Sequence, residues 1–379
     1  MIENSGEEKK VEYIELIYDL IFVYLIGRNN GILHHIEGGF VTLEAFFAYI
    51  MCTLAVIQIW SFTTVYINLH GRNSLRDHIF LFINMYLLYH LGNGIEAAWR
   101  DDFYEFNIAW ILILVNIAVQ YFLEARNQKN MPWAISALKQ QGLIIVAECV
   151  LILVHIFIYY LTGVSTAYIP IIFGIVISFF TGHIFSMFPV DFMHLTERIM
   201  LYVVFTFGEM IIAISSYFDG GFSANSLYFS IIAFLIVVGL FISYEVFYNM
   251  IIDREAISNG LVYMLIHVFL ILSLNNISVA LEFMREEEVA LLPKVVFITI
   301  SILVYFICLF ILGMFAKKKC VFNARFFLRM IILSVAFAVL MIIFREDMYV
   351  NIAVTAVYVL IMSLVIFRHG KYNIQENAT

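Results

Sequence analysis

Of the carboxylates inside apolar runs of this chain, three are placed where they could carry a proton or hold a cation. Glu15 and Asp19 fall in the segment Val11–Val23, and a helix there sets residues four apart on one face. Asp19 then lies about 6 Å deeper than Glu15, at 1.5 Å of rise per residue. Two acids that close in a low dielectric favour a shared proton or a bound cation. Glu209, in the run Phe207-Gly208-Glu209-Met210-Ile211-Ile212, lies about 18 Å along a helix from Glu197, near or past the middle of a ~30 Å hydrocarbon core. An ionisable group in hydrocarbon costs roughly 2.5–3.5 kcal/mol even on the gentlest insertion scales. Such groups therefore face a bundle interior or an aqueous path.

Other residues form a second rank. His194, Glu197 and Arg198 share a helix face at i, i+3 and i+4. A Glu197–Arg198 pair there would serve as a gate that breaks and reforms. Equally, an acid near a helix N-terminus answers the dipole, and the arginine answers charge topology. Gly208 beside Glu209 permits close approach of a helix or ligand. Asn68 and Asn249 lie near the ends of apolar runs, and Glu148 and Glu245 lie within them. For the three leading acids the structural alternative is a protonated side chain joining two helices, or for Glu15 a helix start facing water. His78, His90, His155, His183 and His267 show no matched pair for haem, and no H-E-x-x-H or C-x-x-C is present. No cofactor or metal is expected, and no catalytic residue is assigned.

Long apolar helices must position these groups. The 379 residues are 63% hydrophobic and 13% charged, with mean hydropathy +0.94. That composition excludes a soluble domain, and continuous runs of about twenty apolar residues favour helices over a barrel. The expected fold is an all-α, polytopic membrane bundle. Its spans fall near 12–27, 41–68, 78–98, 106–124, 141–161, 165–186, 198–217, 226–251, 260–283, 293–315, 326–344 and 347–367, about twelve helices in one transmembrane domain, 1–379. With the N-terminus cytoplasmic, only Arg28, Arg100, Arg285, Lys294 and Arg345 of the 21 Lys and Arg fall outside. The rest lie inside, as the positive-inside rule requires, so both termini are placed in the cytoplasm. The formal charge of −8 marks no nucleic-acid partner, because its acids sit in short loops. Cys52, Cys149 and Cys308 lie in apolar runs and Cys320 follows three lysines, which suggests no disulfide framework. No removable signal peptide is read.

A weak internal symmetry is visible. Glu15 and Glu197 open spans one and seven, Val65-Tyr66-Ile67-Asn68 resembles Val246-Phe247-Tyr248-Asn249, and Glu96 and Glu282 close spans three and nine. A parallel six-plus-six repeat, 11–190 and 191–370, accounts for this. Chance likeness between apolar helices accounts for it equally well.

The segment Tyr13-Ile14-Glu15-Leu16-Ile17-Tyr18-Asp19-Leu20-Ile21-Phe22-Val23 resembles the opening signature of the bacterial low temperature requirement A (LtrA) family, W-x-E-L-F-F-D-L-V-F-V. His194-Leu195-Thr196-Glu197-Arg198, followed by Phe207-Gly208-Glu209-Met210-Ile211, is similar to its second signature, H-x-x-E-R and L-G-E-S-I. Trp60, Tyr66 and Asn68 also fit. Tyr13 stands for the usual tryptophan, Tyr18 for a phenylalanine, and Met210 for a serine whose hydroxyl would lie beside Glu209. The resemblance implies a multi-pass protein of the bacterial cytoplasmic membrane linked by name to growth in the cold. It implies no settled activity. From the residues, the first reading is a proton- or cation-coupled secondary transporter of an unidentified solute, with Glu209 and Asp19 binding the coupling ion. The alternatives are a membrane-embedded enzyme acting on lipid or an isoprenoid carrier, and a non-catalytic sensor or scaffold. The expected partners are membrane lipids and a small solute or ion, with oligomeric state left open.

Overall fold

The computed structural model describes residues 10–95, 103–128, 131–180, 190–218, 221–258 and 260–375; Glu96, Arg100 and His183 lie outside them. Twelve helices are present among the described residues. They are α1 (Tyr13–Asn30), α2 (Leu43–His70), α3 (Leu75–Asn93), α4 (Phe103–Asn127), α5 (Pro132–Thr162), α6 (Tyr168–Phe180), α7 (Phe192–Ile214), α8 (Ala224–Val246), α9 (Leu261–Phe283), α10 (Leu291–Leu312), α11 (Ala324–Ile343) and α12 (Met348–Gln375). Ten are long and apolar enough to cross a membrane, which makes the chain a polytopic helical membrane protein. The exceptions are α3 and α6. Helix α3 has the length, 19 residues, but opens with Arg76 and Asp77 and faces inward with Asn84. The apolar run of α6 continues into 181–186, outside the described residues.

The distribution of side chains inverts that of a soluble protein. Ile331, Ile332, Val335, Val339 and Ile343 line one exposed face of α11, and Leu143, Val146, Val150, Val154 and Phe157 line one of α5. Exposed apolar stripes at helical spacing suit lipid, while the buried residues include the ionisable Glu15, Asp19, Glu124, Glu148 and Arg198.

The chain divides into two compact units. The first takes in residues 1–34, 43–201 and 257–264, and the second 35–42, 202–256 and 265–379. In the first, α1 packs on α2 and α3, α4 on α3 and α5, and α6 on α5 and α2. Its α2–α3 turn is closed by charge. Ser74 and Asp77 form a reciprocal capping box at the start of α3, and Arg72 and Arg76 reach Glu124 of α4 at 3.0 and 2.7 Å. Removing the cap with Ser74→Ala should lower stability by about 1 kcal/mol in a denaturation series. Burial pushes the Asp77 carboxyl up, but hydrogen bonds from Arg72 and Ser74 and the Arg76 charge outweigh it and hold it below the usual carboxylate range. Its stabilising effect is therefore present above the unfolded pKa, about 3.9, and is lost as pH falls through the lower folded value. Asp77→Asn should flatten that acid limb of the stability–pH curve.

In the second unit, α12 packs on α8 and α11, and α11 on α10. A two-strand hairpin, β1 (Ile36–Glu37) and β2 (Phe40–Val41), turns through Gly38 and Gly39 at φ 63° and 88°. Glycine takes two such positions in succession without strain. Gly39 O accepts the Ala290 N–H at 2.7 Å, and Phe40 meets Phe283 and Phe297 edge-on. Helix α8 ends in a π-helical turn, Phe247–Ile251, a widening that often accompanies function. The four cysteines are free and buried.

Candidate functional site

Helix α1 supplies two acids because its polar side chains recur on the inner face, with Glu15, Tyr18, Asp19 and Phe22 all buried. The start of α7 supplies the cation. Asp191 Oδ1 accepts the N–H of His194, capping the first turn, and the Asp191 backbone is held by Asn68 at both ends of its side-chain amide. Asn68 Oδ1 accepts the Asp191 N–H at 3.2 Å, while its Nδ2 donates to the Asp191 carbonyl at 2.9 Å. The amide can therefore be oriented only one way.

That orientation sets the histidine. Asn68 Nδ2 lies 3.1 Å from His194 Nδ1 and can only donate, so Nδ1 accepts and the ring proton sits on Nε2. Nε2 faces Glu15 Oε2 at 3.3 Å. One turn on, Arg198 is fully buried and forks onto Asp19, Nε to Oδ2 at 3.3 Å and Nη2 to Oδ1 at 2.9 Å. Its remaining nitrogen, Nη1, lies 3.4 Å from Glu15 Oε2. One guanidinium is thus shared by two carboxylates, one of which also meets an imidazole.

Helix α2 completes the enclosure. Trp60 Nε1 donates to Asp19 Oδ1 at 2.8 Å, and the Arg198 guanidinium lies 6.0 Å from the Trp60 ring centroid. Tyr18 donates to Thr63 at 3.1 Å, tying α1 to α2 beside the ion pair. Trp60→Phe keeps the ring and removes the donor to a charged acceptor, so it should cost about 1.5–3 kcal/mol by chemical denaturation.

The two negative charges of Glu15 and Asp19 meet one positive charge on Arg198. With the imidazole in its neutral tautomer, the charges of these four side chains sum to minus one. Of the four, Glu15 is the group placed to take up a proton, because the imidazole already holds one on Nε2 and accepts from Asn68 at Nδ1. The remaining expected residues are placed elsewhere. Glu197 is half-buried, and the ion pairs of Arg198 run to Asp19 and Glu15 instead. Glu209, half-buried in α7, belongs to the second unit, where Glu282 of α9 acts on it electrostatically. Among the described residues, a Cβ built on Gly208 would meet nothing within 4 Å, which leaves open space beside it. Glu245 and Asn249 are exposed. Among the described residues no group of His, Cys, Asp and Glu is arranged to hold a metal.

Sequence reasoning passed over Asp191, Thr63 and the Trp60 donor. Asp191 sits three residues before His194 and just ahead of an apolar run, an N-cap spacing legible in principle. Ten long apolar helices, with a polar network of carboxylates and an arginine buried among them, define a polytopic helical membrane protein. The chain belongs to the bacterial low temperature requirement A family, whose model matches residues 10–365. No curated protein matches it.

Proposed function

We propose that the protein is a proton-coupled secondary transporter of a small solute in the bacterial cytoplasmic membrane, with both termini cytoplasmic. The observation that carries this reading is Arg198 shared by Asp19 and Glu15 next to His194, all four buried. A proton arriving on Glu15 removes its claim on Arg198, which then falls wholly to Asp19. Loss of that proton restores the three-way arrangement. Two such states of one helix-to-helix contact, α1 to α7, are the bistable element that alternating access needs. Asn68 and Asp191 fix the imidazole with its proton on Nε2, facing Glu15 Oε2, so the group that takes up the proton is the Glu15 carboxylate.

Glu209 is the second group assigned to transport, as a carboxyl that meets the solute or a second ion from the open space beside Gly208. Glu209→Gln should reduce solute uptake while leaving the thermal transition within about 1 kcal/mol of wild type. Unchanged uptake would remove Glu209 from the pathway. Native mass spectrometry of the purified protein beside Glu15→Gln and Glu209→Gln tests the reading at the level of binding. A polar solute retained by wild type and lost from a folded variant supports it. Identical bulk lipid on all three speaks against a retained ligand at either acid.

A further inference from the structure

Helix α5 carries a carboxyl that the transport cycle does not use. Glu148 is fully buried, and its Oε2 accepts from Gln58 Nε2 of α2 at 3.3 Å. Its other oxygen, Oε1, has no hydrogen-bond partner, nor has the carbonyl oxygen of Gln58, itself only 7% exposed. Two oxygens cannot satisfy one another without a hydrogen between them. Helix α6 closes the site from a third side. A Cβ at Gly174 would run into Gln58 Nε2 and come within 2.7 Å of Glu148 Oε2, so only glycine lets α6 pack here. Among the described residues no cation pairs with the carboxyl: α2 and α6 present no charged side chain to it, and the titratable neighbour is Cys149 of α5, which donates to Ile111 O.

We infer that Glu148 and Gln58 form a binding site for one exchangeable proton, separate from the Glu15 cluster. A proton on Glu148 Oε1 donates to Gln58 Oε1 while Gln58 Nε2 donates to Glu148 Oε2. Acid and amide then bond reciprocally, and both orphaned oxygens are satisfied by a single hydrogen. Removing that proton leaves a carboxylate enclosed by α2, α5 and α6 and repelled by the Gln58 carbonyl. The site therefore couples proton occupancy to the contact between α2 and α5, whether or not the protein transports a solute.

Infrared spectroscopy of the full chain in lipid tests this directly. Wild type should show a carboxylic-acid C=O band that shifts on transfer to heavy water. Glu148→Gln should remove it, and this variant should fold because two amides pair reciprocally as acid and amide do. Gln58→Leu should keep the band but move it to higher frequency, because the Nε2 donor to Oε2 is gone. A spectrum in which Glu148→Gln removes only carboxylate absorption overturns the inference. So does a Glu148 band indifferent to Gln58→Leu, or one that fails to exchange in heavy water.

Discussion

Arg198→Ala is expected to be the most damaging single substitution in the first unit. It takes the guanidinium away from the buried Asp19 and Glu15, and breaking a buried pair from one side costs about 3–5 kcal/mol. Little accumulated protein, or a much lower unfolding midpoint in detergent, is the expected result. The same logic predicts a rescue. Replacing Asp19 and Arg198 together with leucine, and Glu15 with glutamine, removes every charge from the cluster, and the triple variant should fold better than Arg198→Ala. A triple variant no more stable than the single one would show that packing, not charge, governs the site. Folding without transport is what the account requires of it.

Glu15→Gln should separate coupling from stability. The substitution keeps the shape and an oxygen for Arg198 and His194, and it leaves Arg198 and Asp19 as a balanced pair. Its unfolding midpoint should correspond to a change within about 1 kcal/mol of wild type. Solute movement, if it persists, should no longer respond to an imposed pH gradient, because the group that takes up the proton is gone. His194→Gln should behave alike, with a smaller effect, since Glu15 remains to bind the proton. A gradient response intact in both variants would place proton coupling elsewhere in the chain.

Much of this was legible in the residues. The helices follow from long apolar runs, and Glu15 and Asp19 on one face of α1 follow from four-residue spacing. Sequence spacing also put His194 and Arg198 together, since both lie on one turn of α7. What it did not supply was their partner. Neighbours on a helix, Glu197 and Arg198, suggested a local pair. In the fold, Arg198 points inward to acids 179 and 183 residues earlier, and Glu197 falls on a less buried face. Long-range pairing depends on which faces meet, and hydropathy reports only that a face is buried. The likeness between Val65–Asn68 and Val246–Asn249 shows the same limit. Asn68 is buried and organises the start of α7, whereas Asn249 is exposed in a π-helical turn.

Gradient-driven uptake from a mixed pool of cell metabolites into liposomes holding the purified protein tests the central claim most directly. With wild type, at least one solute should accumulate inside only while a pH gradient is imposed. A protonophore should abolish the accumulation, and so should Glu15→Gln in liposomes carrying equal amounts of folded protein. Accumulation that survives both treatments would contradict proton coupling at the Glu15–His194–Arg198–Asp19 cluster, and a pool unchanged by wild type would contradict transport itself.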